Sequence, residues 1–124
     1  MVQDEVLREL PSEDLAVAVV WEPILRTDDE RSSRKATILF PDKRVTHYWT
    51  AGTDVGTLFQ PAIGLTTEPA WDVYLLYPRD VKWEGDAPPR PEFFMHQLGG
   101  RLPDNQSLDG PKLAARLRAM IGER

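Results

Sequence analysis

The segment Leu15-Ala-Val-Ala-Val-Val-Trp21 has no polar side chain. A stretch this short and this rich in valine reads as a strand rather than a helix. Without polar alternates it reads as a strand buried on both faces, the pattern of a parallel sheet. Such a strand needs a parallel neighbour reached by a crossover and helices to cover its two faces. Pro23 closes it, because a proline cannot donate to the ladder.

The flanking sequence meets that demand. Val2, Val6, Leu7 and Leu10 recur at helical spacing with charges between them, which predicts a helix ending at Pro11. Ser12-Glu13-Asp14 reads as a turn. Thr27-Asp28-Asp29-Glu30 offers a capping residue followed by acids at the positive end of the dipole. The spacing predicts a helix from there to about Phe40. Pro41-Asp42 makes a turn, and Arg44–Thr50 alternates as a half-buried strand, with Val45, His47 and Trp49 on one face. Thr53-Asp54 caps a helix carrying Val55, Leu58, Phe59, Ala62 and Ile63, which Pro61 shortens or kinks and Gly64 ends.

Trp71–Tyr77 is the next strong strand, and Pro78-Arg79-Asp80 turns the chain so that Val81–Trp83 hairpins back on it. Gly85–Pro91 is proline-rich loop. Glu92–Leu98 reads as one helical turn or an irregular packed segment. Asp109-Gly110-Pro111 opens a last helix with Leu113, Leu117, Met120 and Ile121 on one stripe. The order α-β-α-β-α-β-β-α in 124 residues predicts one domain, residues 1–124. Its expected architecture is a three-layer α/β/α sandwich with a mixed sheet, a closing β-hairpin and a C-terminal helix.

This order resembles the later two-thirds of the thioredoxin-like fold, in its redoxin branch. Leu15–Trp21 resembles that fold's central strand, and Arg44–Gly64 its inserted strand and helix. Glu68-Pro69 before the Trp71–Tyr77 strand resembles the proline that is cis in that family. The Pro78–Asp80 turn, Val81–Trp83 and the last helix resemble its closing hairpin and helix. The resemblance implies a catalytic Cys-x-x-Cys in a segment that would precede Val2, yet the sequence contains no cysteine. Thiol–disulfide exchange needs a thiolate, so that activity carries over to no residue here. Two readings follow: a redox-inactive relative acting in protein binding or assembly, or a shortened gene model of an oxidoreductase whose cysteines are encoded upstream of Met1. In the first, the uncovered sheet edge is met by a second chain, giving a homodimer.

Composition excludes other classes. The net charge of −5 repels phosphate backbones and anionic lipid, so no nucleic-acid or membrane partner is expected. No apolar stretch is long enough for a membrane span and Met1–Leu10 has no apolar signal core, so the expected location is cytoplasmic. His47 and His96 are the only histidines and share no ligand spacing, and no strained serine elbow or phosphate-binding glycine loop is present. No catalytic residue, metal or cofactor is therefore assigned. Asp28-Asp29-Glu30 reads as a helix cap. Asp72 is the oddest placement, a carboxylate inside an apolar strand, and would become a functional lead if it were buried. Ligands of open α/β sheets bind beyond the carboxyl ends of the strands. There stand Trp21, Glu22 and Trp49, with Glu68 and Pro69 at the entry to the third strand. These five are the candidate binding residues, for an extended peptide added to the sheet or for another protein.

Overall fold

The computed structural model describes residues 3–10, 14–21 and 42–122. It is a mixed α/β structure in two compact units, one formed by residues 1–53 and 110–124, the other by residues 54–109. The helix expected between Thr27 and Phe40 lies outside the described residues.

In the first unit, β1 (Val17–Trp21) and β2 (Val45–Trp49) run parallel, with Val19 opposite His47 and Trp21 opposite Trp49. The parallel pairing agrees with the valine-rich pattern. The burial does not: Val17, Val19 and Trp21 are half-buried, while Ala18 and Val20 face solvent. Apolar composition therefore overstated the coverage of this strand. β2 alternates as its sequence requires, with Val45, His47 and Trp49 half-buried and Thr46 and Tyr48 exposed.

The N-terminal helix is shorter than expected. It is a single turn of π-helix, Gln3–Leu7, that buries Val6, Leu7 and Leu10. Its carbonyls find their partner in a side chain far along the sequence. The Arg44 guanidinium donates from Nη2 to the Leu7 carbonyl at 2.7 Å and from Nη1 to the Leu10 carbonyl. Asp42 holds the guanidinium from the other side, accepting from Nε at 2.9 Å and from Nη2 at 2.7 Å, and it also accepts the Arg44 backbone N–H at 2.9 Å. Those hydrogen bonds hold the Asp42 carboxyl at about 2, against an ordinary 3.8, and the carboxylate pushes Arg44 up.

The same turn packs against the last helix, here α2 (Gly110–Gly122), whose buried face carries Leu113 and Ala114. Pro111 sits in its first turn, where no N–H is needed. Gly110 faces Glu5 so closely that a Cβ there would stand 2.8 Å from the Glu5 Cβ.

The second unit opens with α1 (Asp54–Ile63), as the Thr53-Asp54 cap predicts. Pro61 occupies its last turn, and the helix continues past it to Ile63. Gly64 then adopts φ +73° and the Leu65 N–H reaches back to the Gln60 carbonyl at 3.0 Å. This is the left-handed glycine stop with a six-to-one hydrogen bond. It turns Leu65 into a core shared with Ile63, Ala70, Leu98 and Leu102, which Phe59, Trp71, Val73, Leu75 and Phe94 flank.

β3 (Val73–Leu76) pairs antiparallel with β4 (Phe93–His96), placing Val73 opposite His96 and Leu76 opposite Phe93. Two expectations fail here. Val81–Trp83 is not a strand, and Val81 and Trp83 are 39% and 50% exposed. The partner of β3 is Glu92–Leu98, expected to be helical or irregular. The physical reason is burial: Phe-Phe-Met-His sinks Met95 and His96 to 1% and 0% exposure, whereas Val-Lys-Trp would bury too little to displace it. A single mixed sheet is also not formed among the described residues. The strands make two separate two-stranded sheets, each satisfying its own ladder.

Replacing Arg44 with Met keeps the apolar stem but removes the guanidinium bonds to the Leu7 and Leu10 carbonyls and to Asp42, leaving Leu7 only the 3.3 Å bond from the Leu10 N–H and Asp42 only the backbone N–H of residue 44. A loss of about 2–4 kcal/mol in urea unfolding is expected. The Asp42 contribution has a defined pH window. Its folded-state pKa lies below the unfolded value, so the pair stabilises above pH 3.8 and the gain is lost as pH falls through about 2. In denaturant midpoints measured down that range, Asp42→Asn should flatten the acid limb by about 1–2 kcal/mol, discounted for partial solvent screening. A methyl at Gly110 should loosen the N-terminal turn from α2 at a cost of about 1–3 kcal/mol, and Glu5→Gly in the same chain should recover part of it. If Gly110→Ala unfolds at the wild-type midpoint, that close approach does not hold in solution.

Candidate functional site

The first unit brings two of the candidate binding residues together. Trp21 and Trp49 end β1 and β2 as register partners, both half-buried. The Trp21 indole Nε1–H donates to His47 Nδ1 at 3.1 Å, with the ring planes 10° apart. Nδ1 is the acceptor in this bond. The Thr50 N–H then closes on the Trp21 carbonyl at 3.0 Å, which ties the carboxyl ends of both strands. Glu22 lies outside the described residues.

The other two candidates, Glu68 and Pro69, belong to the second unit, and there Glu68 is a knot. Its Oε1 accepts the Trp71 Nε1–H at 2.6 Å, its Oε2 faces Arg101 Nε at 3.2 Å, and its carbonyl accepts the Gln60 side-chain amide at 2.8 Å. Of these partners Trp71 packs against the core, Gln60 is half-buried on α1 and Arg101 is exposed. The carboxylate therefore ties the entry to β3 to the loop after β4, and the Glu68 backbone carbonyl anchors it to α1. The family expectation at Pro69 is corrected: among the described residues no peptide bond is cis. With Pro69 trans, the chain passes directly on, and the Ala70 N–H bonds to the Gly56 carbonyl at 2.9 Å.

Asp72 is not the buried carboxylate that would have made a catalytic lead. It is exposed and stands just before β3 with φ +48°, the only described non-glycine residue in the left-handed region. Asp tolerates that conformation better than most residues. Its carbonyl accepts the Gln97 N–H at 2.9 Å, so the unusual backbone serves the strand pairing. Partial withdrawal from water pushes its carboxyl up. Burial, and then the Asp72 charge, push the Tyr74 phenol up, and that hydroxyl donates to Gln97 Oε1 at 2.8 Å. Burial likewise raises Tyr77, whose hydroxyl donates to the Pro89 carbonyl at 2.8 Å and pins the proline-rich loop.

The residue whose importance the sequence did not signal is His96, the one buried polar side chain among the described residues. Its Nδ1 accepts the Leu98 N–H at 3.0 Å, which leaves Nε2 to donate to the Pro103 carbonyl at 2.7 Å. Its own carbonyl accepts the Leu108 N–H at 2.7 Å. The ring thus organises the segment after β4, including the short 3-10 turn Asp104–Gln106, and offers no nitrogen to a ligand. Only its position inside an aromatic segment distinguished it in the sequence. Among the described residues no group of three or more His, Cys, Asp or Glu side chains is arranged to hold a metal ion. No helix there is long and apolar enough to cross a membrane.

No family model, curated protein or solved structure matches this chain. Both histidines are in defined hydrogen bonds, Glu68 is fully engaged, and the exposed face of the β1–β2 pair carries Ala18, Val20, Thr46 and Tyr48. Val20 and Tyr48 are register partners, 40% and 53% exposed.

His96→Leu should fold poorly despite its similar bulk, because the Leu98 N–H and the Pro103 carbonyl are left buried and unpaired. The expected loss is about 2–4 kcal/mol, with faster amide exchange at Leu98 and Leu108. Wild-type exchange at those amides in the variant would show that the imidazole does not hold the loop.

Proposed function

We propose that this chain is a non-enzymatic binding and assembly module, a redox-inactive relative of the thioredoxin-like fold that works in the cytoplasm as a homodimer. One observation carries the reading: a two-stranded parallel sheet with an apolar, solvent-facing side. Parallel sheets occur almost only with both faces covered, and a pair of strands alone is marginal in water. Here Val20 and Tyr48 stand side by side on the open face. Neither β1 nor β2 contains a charged residue or a proline, the usual guards against edge-to-edge pairing. A second copy packing the same face against this one across a two-fold axis would cover these side chains with a self-complementary surface.

The thioredoxin-like part of the reading rests on order. A parallel strand pair precedes a helix, an antiparallel pair follows, and an amphipathic helix comes last. The antiparallel partner supplied by Phe93–His96 takes the role that the resemblance gave to Val81–Trp83. The absence of cysteine supports the non-redox half of the proposal.

Sedimentation velocity over a concentration series tests it. The wild-type chain should move toward a dimer in the micromolar range. Val20→Lys and Tyr48→Lys, both at exposed positions, should remain monomeric with unchanged circular dichroism. A wild-type chain that stays monomeric to high micromolar concentration would overturn the proposal.

A further inference from the structure

We draw no further inference here: the strongest candidate, the aromatic pair of Phe59 on α1 and the half-exposed Trp83 packed edge-on against it at 5.7 Å, is an apolar surface of the second unit and nothing in the structure shows what covers it.

Discussion

The grip of Arg44 on the N-terminal turn is the interaction on which the first unit depends. A π-helical turn of five residues cannot sustain itself, because nucleation costs more than one turn returns. Its closing carbonyl, at Leu7, otherwise has only a 3.3 Å bond from the Leu10 N–H. Arg44 supplies two donors to the Leu7 and Leu10 carbonyls, and Asp42 fixes the guanidinium so that little freedom is lost when those bonds form. Because Arg44 immediately precedes β2, the same side chain joins the turn to the start of the strand. Val6, Leu7 and Leu10 are then held where they can bury themselves, and α2 packs against the turn.

The second unit solves the same problem with an imidazole and a carboxylate. The chain after β4 has little regular structure, so its backbone groups need partners from elsewhere. His96 provides two acceptors, ring Nδ1 and its own carbonyl, and one donor, ring Nε2, and Glu68 ties Gln60, Trp71 and Arg101. Polar groups that a sequence reader would reserve for chemistry are spent on closing loops. The proposed binding role rests on the apolar exposed face of β1 and β2.

Legibility of the site followed the same division. Trp21 and Trp49 were found because strand ends are readable from hydrophobic periodicity, and register then sets them side by side. Glu68 and Pro69 were singled out by analogy with a cis proline, and the trans peptide removes that reason. Asp72 was noticed as a charge among apolar residues. Its left-handed backbone just ahead of β3 explains the anomaly, since the strand begins two residues later than the apolar pattern suggests. The role of His96 had no local signal, because its partners at Pro103 and Leu108 lie beyond any short sequence window.

The sequence by itself determined the features that depend on near neighbours. Alternation in Val45–Trp49 set the faces of β2, the Thr53-Asp54 cap and Gly64 bounded α1, and the stripe from Leu113 to Ile121 made α2 amphipathic. The complete lack of cysteine excluded thiol chemistry in this chain before any coordinate was known. Tertiary structure alone decided which segments pair. Val81–Trp83 read as the strand after β3 and Glu92–Leu98 as helical or irregular, yet the pairing went to Phe93–His96, which buries more side chain and carries a histidine able to satisfy the following loop. It also decided that Leu15–Trp21, apolar throughout, is covered on one side only. Composition states how much a strand can bury, but only the elements that pack on it state how much it does.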